Sequence, residues 1–473
     1  MMHIPILRHG KPYKSLATVD VKDFRTGKTV AQLSQANSGL IRKDSLLFSR
    51  NKAALDALPV KELLTICKNA AALFLEETLP IGDEEQSPEA YINFLTATTG
   101  MPATLGRKNM EKIHHVLNNM EGVLGGLTRG LDLSILDAGW GDQYGRTLSY
   151  LVQTHSLGAI LPNNSPGVHS LWLPAIPLKV PLAVKPGTQE PWTPFRIIQA
   201  FIAAGCPEEA FGFYPTDHSG ASQILMNSGR SMLFGDASTV KAWEKDRRVQ
   251  VHGPGWSKVI LGPDQADDWE LSLDTIVDSI AINSGRSCLN ASGVWTTGNG
   301  RKIAEALAER LSKIEARAME DPKACLAAFV NPEIAKRTSQ LIDQGLAQGG
   351  AIDLTAKHRS GERVVEVDGA TFILPTIIWC DSKDHPLASA ELLFPFASVV
   401  ETDETSLFDE IGYTLVGTVI SKDRNFLQKA MTTQNIDRLN IGSLPTSIIS
   451  WDQPHEGNLF EHLYHQRAFQ KSV

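Results

Sequence analysis

Between residues 156 and 234 short apolar runs alternate with helical stretches and turn residues, and this rhythm constrains the fold most strongly. Residues 156–161, 182–185 and 231–234 read as strands. Thr193-Pro194 opens a helix, with Thr193 as N-cap and the proline at the first helical position. Its apolar face is Phe195, Ile198, Phe201 and Ile202, and Gly205 closes it. Such alternation argues for a parallel sheet covered by helices. A second half begins after Gly253. Ile303, Leu307, Leu311 and Ile314 mark an amphipathic helix, and residues 371–378, 398–401 and 414–420 read as strands. The pattern predicts two α/β domains with a cleft between them, where ligands usually bind.

Upstream, Leu63, Leu64, Cys67, Ala71 and Phe74 lie at helical spacing in a segment closed by Pro80, and residues 110–127 form a second helical region. Residues 131–151 are polar, Gly-rich and partly alternating, an excursion from the main domain. Residues 4–8 read as a strand running into Arg8-His9-Gly10. An apolar strand ending in R-H-G resembles the start of histidine phosphatases, but the flanking pattern is missing and a surface turn is the favoured reading.

The 473 residues, 42% of them hydrophobic, suffice for a large core in two or more domains. A net charge of -8 without a Lys/Arg run argues against nucleic acid as the main partner. The five cysteines are widely spaced and form no C-x-x-C pair or Cys/His cluster, so neither a disulfide framework nor a metal site is indicated, and a cytoplasmic location fits. No signal peptide is read at the N-terminus. No apolar stretch reaches the roughly 18 residues of a membrane span, the best candidate, 171–184, being broken by prolines and Lys179.

One stretch carries chemistry. An amphipathic run, 273–282, leads into Asn283-Ser284-Gly285-Arg286-Ser287-Cys288. A cysteine presented at a Gly-containing corner suits a thiolate nucleophile with backbone amides placed to hold an oxyanion. Taken alone, Cys288 is as readily a small buried hydrophobe. No G-x-G-x-x-G follows a strand, and Gly139-Trp140-Gly141 with Gly145 lacks the strand context.

Six segments, in order over roughly residues 45–445, resemble the aldehyde dehydrogenase superfamily. Pro162-Asn163-Asn164-Ser165-Pro166 is similar to P-W-N-F-P, Lys185-Pro186-Gly187 to K-P-[SA], and Phe234-Gly235 to F-T-G-S. Asn283 to Cys288 matches N-x-G-Q-x-C with Arg286 in place of Gln. Glu391-Leu392-Leu393-Phe394-Pro395 resembles E-x-F-G-P, and Arg438-Leu439-Asn440 resembles G-x-[IV]-N. Singly, Asn164 is equally a turn former, Lys185 a solvated strand end and Glu391 a helix cap. Together they imply the family's fold: a cofactor-binding α/β domain (1–130 and 150–252), a catalytic α/β domain (253–449), and a small β flap for oligomerisation (131–149 and 450–473). The resemblance implies that Cys288 attacks an aldehyde carbonyl while Asn164 and the Cys288 backbone amide hold the oxyanion. Hydride then passes to NAD or NADP, leaving a thioester. It implies cofactor contacts from Lys185, Thr188, Gly235 and Glu391. Thr188 stands where a Glu usually selects NAD over NADP, so NADP is not repelled. A homodimer or homotetramer is implied.

The sequence departs from the family at two places. Its water-activating Glu, in E-L-G-G-K, falls on His252 of His252-Gly253-Pro254-Gly255-Trp256, and a histidine is either a replacement base or a strand-end residue without a catalytic part. The Gly253-Pro254-Gly255 run also resembles the branch in which coenzyme A accepts the acyl group, including acyl-CoA reductases. Near the C-terminus Pro454-His455-Glu456-Gly457-Asn458 replaces P-F-G-G-x-x-x-S-G. The first reading is therefore an NAD(P)-dependent enzyme taking an aldehyde to a carboxylate. The alternatives are a CoA-acylating enzyme and a non-catalytic oligomeric member of the fold.

Overall fold

The computed structural model describes residues 2–265 and 267–472; residues 1, 266 and 473, which fall inside the predicted domain ranges, lie outside the described residues. The chain divides into two compact units. One comprises Met1–Thr98, Gly106–Gly253 and Ser450–Val473, the other Thr99–Leu105 and Pro254–Ile449. Both have the parallel α/β architecture that the strand–helix rhythm predicts.

In the first unit a seven-stranded sheet runs in the order Val249–His252, Arg230–Phe234, Leu157–Ile160, Leu182–Lys185, Phe211–Phe213, Ile6–Arg8, Lys11–Tyr13. The first five strands are parallel, Ile6–Arg8 runs antiparallel to Phe211–Phe213, and Lys11–Tyr13 runs antiparallel to Ile6–Arg8. Leu157–Ile160 pairs on one side with the strand that follows it and on the other with Arg230–Phe234. The strand order reverses there, and ligands of open α/β sheets bind outside the carboxyl ends at such a reversal. A three-stranded sheet of Tyr464–Gln466, Arg146–Val152 and Trp140–Gln143 joins the excursion to the C-terminal tail.

The second unit has its own seven-stranded sheet, ordered Ala351–Asp353, Thr376–Cys380, Phe396–Glu401, Gly293–Thr296, Lys258–Leu261, Thr414–Ile420, Ile436–Ile441. Only Ala351–Asp353 is antiparallel to its neighbour. Val259, Val294, Ile377 and Val399 pack one face against Ile303 and Leu307 of the helix Gly300–Leu311, all of them buried.

Three local readings are corrected. The strand expected over 4–8 is broken at Pro5, which cannot donate to a ladder; Met2–Ile4 pairs with Thr29–Ser34, and Ile6–Arg8 joins the large sheet. Leu374-Pro375 likewise splits 371–378 into Ala370–Ile373 and Thr376–Cys380. Thr193 is not an N-cap but lies inside the helix Trp192–Ala203. The buried Glu190 carboxylate does the capping, accepting the Thr193 N–H at 2.9 Å and its hydroxyl at 2.5 Å. Glu190 also accepts a hydrogen bond from His169 Nε2 at 2.9 Å, since Nδ1 of that ring accepts from the Trp172 indole.

Arg8-His9-Gly10 forms the turn of a hairpin, with left-handed φ of 54° at His9 and 80° at Gly10. Arg8 is paired with Asp44 at 2.6 Å and His9 Nδ1 lies 2.8 Å from Asn51 Nδ2, so the R-H-G side chains are engaged in holding the turn. Among the described residues no helix is long and apolar enough to cross a membrane.

Candidate active site

The helix Leu273–Ala281 buries Ile276 and Ile280 and ends because Asn283, Ser284 and Gly285 take successive left-handed conformations, with φ of 54°, 59° and 65°. Asn290 gathers the carbonyls this leaves, donating from Nδ2 to Ile282 at 2.8 Å and Ser279 at 3.1 Å, while its Oδ1 accepts the Ser287 N–H at 3.0 Å. Arg286 is buried and donates to the carbonyls of Thr99 (2.8 Å) and Ala328. Burial pushes its guanidinium down to about 10. In place of the expected Gln, it anchors the loop.

Cys288 sits half-buried at the resulting corner. Its carbonyl accepts the Ser257 hydroxyl at 2.7 Å. A Cβ on Gly255 would lie 2.2 Å from that same carbonyl oxygen, so only glycine allows the approach. The Glu391 carboxylate accepts the N–H groups of Gly255 (3.1 Å) and Trp256, fixing the turn before the strand Lys258–Leu261. Lys258 Nζ donates to Trp256 O (2.7 Å) and Thr414 Oγ1 (2.8 Å), and burial pushes its ammonium down to about 8 against the opposing charge of Glu391. Residues 255–258 and 391–395 thus pack on the loop 284–290 that carries Cys288. Gly255 and Lys258 carried no signal of this in the sequence, because a close backbone approach is a tertiary event.

The remaining predicted residues lie along the carboxyl edge of the first unit's sheet. Asn164 follows the strand Leu157–Ile160, Lys185 ends the next, Gly235 follows Phe234, and His252 ends Val249–His252. Register places Ile160 beside Lys185 and Phe234 beside His252. Thr188 is exposed, and no carboxylate stands at its position. Asn163 ties two of these loops together, accepting the Gln189 N–H at 2.9 Å, and a Cβ on Gly187 would lie 2.2 Å from its Oδ1. Burial lowers the Lys185 ammonium's pKa, and no partner for it occurs among the described residues. A partly desolvated cation at this edge suits a polar or anionic cofactor group.

His252 is fully buried. Its Nδ1 is hydrogen-bonded to the Glu456 carboxylate, and its ring stacks on Phe234 at 4.3 Å and 13°. Nearby, burial and the charges of Arg230 and His252 push His462 down to about 4, against the opposing hydrogen bond to the Ser231 carbonyl. A folded-state pKa below the unfolded value means the unfolded chain takes the proton first as pH falls from about 6.5 to 4. Stability should therefore drop across that window by roughly 3 kcal/mol from this group. His462→Gln keeps a donor for Ser231 and should flatten the pH dependence of the urea midpoint between pH 7 and 4; an unchanged slope would assign the acid sensitivity elsewhere.

The chain belongs to the aldehyde dehydrogenase family, whose profile matches residues 18–458. It is 23% identical over 266 residues to the acylating methylmalonate-semialdehyde/malonate-semialdehyde dehydrogenase of Bos taurus mitochondria, covering 54% of this chain and 48% of that protein. It is 22% identical over 327 residues to D-glyceraldehyde dehydrogenase (NADP(+)) of Thermoplasma acidophilum, covering 63% and 62%. The match thus spans about half the length of the first of these relatives. A point mutant of betaine aldehyde dehydrogenase from Staphylococcus aureus, in complex with NAD+, superposes with a TM-score of 0.78 at 16% identity, covering 98% of this chain and 95% of that one.

Proposed function

We propose that the protein oxidises an aldehyde to a carboxylate through a thioester on Cys288, with NAD or NADP as oxidant. The observation that carries this is the corner itself: the Cys288 carbonyl accepts the Ser257 hydroxyl and lies against Gly255, Glu391 fixes Gly255 in turn, and Cys288 stays half-exposed. The thiolate adds to the carbonyl carbon, and the Asn164 amide and Cys288 N–H are the proposed donors to the oxyanion. The nicotinamide, when bound, supplies the hydride acceptor that turns the adduct into a thioester. Lys185, Thr188 and Gly235 are the proposed residues for holding the cofactor. Glu391, whose carboxylate accepts the Gly255 and Trp256 N–H groups, is the proposed fourth. NADP use is supported by the missing carboxylate at Thr188 and by the NADP-dependent relative. We further propose a cytoplasmic homo-oligomer assembled through the sheet that includes Trp140–Gln143 and Tyr464–Gln466.

Release of the acyl group is assigned to water, with His252 as base. The second reading, transfer to coenzyme A, is favoured by Gly253-Pro254-Gly255 and by the acylating relative. Both are tested with short aliphatic aldehydes and semialdehydes, NAD+ or NADP+, and coenzyme A present or absent. The expected result is a carboxylate product at a rate indifferent to coenzyme A, falling on the order of a hundredfold in His252→Ala. Acceleration by coenzyme A, an acyl-CoA product and indifference to His252→Ala would establish the second reading. No turnover with any aldehyde would leave a binding protein.

A further inference from the structure

The two places where the sequence departs from its family touch each other. His252 replaces the expected Glu, and Glu456 lies in the replaced C-terminal segment, 204 residues away. We infer that Glu456 is a positioning residue that holds His252 in its Nδ1–H tautomer and so leaves Nε2 as the basic atom. This rests on the reading of His252 as the deacylation base.

The geometry supports it from several sides. A carboxylate has no proton to give, so the shared hydrogen at Nδ1 belongs to the imidazole, and in the neutral ring the lone pair is then on Nε2. Both side chains are buried, at 2% and 7% exposure. Nε2 is buried without a hydrogen-bond partner, a state that ordinary core histidines avoid. Phe234 is stacked on one face of the ring, which restricts its turning. The carboxylate is itself aimed by a strained turn: Glu456 and Gly457 have φ of 51° and 109°. The Gln250 amide donates to the Glu456 carbonyl, and a Cβ on Gly457 would lie 2.6 Å from that amide nitrogen. His455, 3.9 Å from the same carboxylate oxygen, and His462 with Arg230 are titratable or charged groups that also face the pair.

In the step this serves, a water oxygen bonds to the thioester carbon and its proton moves to Nε2. The carbon–sulfur bond breaks, its electron pair returns to Cys288 Sγ, and the carboxylic acid leaves. The imidazolium rests against the Glu456 carboxylate until solvent removes the proton. Glu456 thereby carries the negative charge that the family's Glu would bring, but one residue removed from the reacting water.

The test uses Glu456→Gln, which keeps the shape, with Glu456→Asp as the conservative rescue. The first readout is the histidine tautomer, read by nitrogen NMR on protein labelled at histidine, with the His252 signal assigned by its loss in His252→Gln. Wild type should show the Nδ1–H form, Glu456→Gln a shift toward Nε2–H, and Glu456→Asp a return. The second readout separates the pre-steady-state burst of reduced nucleotide from steady-state turnover. Glu456→Gln should keep the burst and lose about a hundredfold in steady state, since a wrong tautomer disables a base. An unchanged tautomer in Glu456→Gln, or a shifted tautomer with full steady-state rate, overturns the inference. A wild-type protein that reduces no nucleotide with any aldehyde fails the reading of the function instead, while the tautomer measurement still decides whether Glu456 orients His252.

Discussion

Cys288→Ser should abolish aldehyde-dependent reduction of NAD+ or NADP+, by at least about a thousandfold, since a serine hydroxyl at neutral pH is a far weaker nucleophile than a thiolate. The fold should survive. The corner is held by main-chain contacts, the Cys288 carbonyl to Ser257 and the close approach of Gly255, and by the anchors at Asn290 and Arg286. None uses the sulfur, so melting temperature and nucleotide binding should stay near wild type. The other cysteines offer no substitute. Cys67 and Cys206 are buried, with thiols pushed well above the ordinary value, and burial pushes Cys380 up to about 12. Such thiols are inert near neutral pH. Cys325 is exposed, so Cys325→Ser is the matching control and should keep full rate. A Cys288→Ser enzyme with wild-type burst and steady state would remove the nucleophile assignment.

The parts of the fold legible in the sequence were those set by local pattern. Parallel strands such as Leu182–Lys185 and Thr414–Ile420 are short, apolar on both faces and bounded by turn residues, so their ends could be read closely. Prolines were the recurrent source of error. Pro5 and Pro375 sit inside apolar runs that look continuous, yet each divides its run between two strands. Pro194 made Thr193 look like a cap, although Glu190, three residues upstream, reaches over the helix start. The sheet that pairs Met2–Ile4, Thr29–Ser34 and Thr18–Lys22 went unread because its strands are partly exposed and separated by irregular loops. At the candidate site the glycine before Cys288 was legible, since a left-handed corner calls for one. The partnership of His252 with Glu456 was not. A contact between residues 204 positions apart leaves no periodic or spacing signal; only the two separate departures from the family pattern were visible.

Gly285→Val should cost roughly 3–5 kcal/mol of stability, combining a β-branched residue forced to positive φ with overpacking. The residue has φ of 65°, between Ser284 at 59° and the anchored Arg286. A Cβ there would lie 2.4 Å from the Phe394 carbonyl carbon, 2.5 Å from its oxygen and 2.6 Å from the Pro395 nitrogen. All three are backbone atoms, so no rotamer change relieves the clash, and either the loop or residues 391–395 must move. Movement of either kind reaches the chemistry. Cys288 is three residues downstream, and Glu391, which fixes Gly255 and Trp256, is three residues upstream of Phe394. A displacement of about 1 Å at a reacting atom can cost on the order of a hundredfold in rate. Urea unfolding and kcat should therefore fall together in this variant. Gly122→Ala provides the contrast: nothing lies within 4 Å of a Cβ at Gly122, inside the helix Met120–Leu127, and alanine is the better helix former, so stability should hold or rise. Wild-type unfolding and kcat in Gly285→Val would mean that the left-handed corner does not hold Cys288 in place, and that the contacts at Ser257 and Asn290 suffice without it.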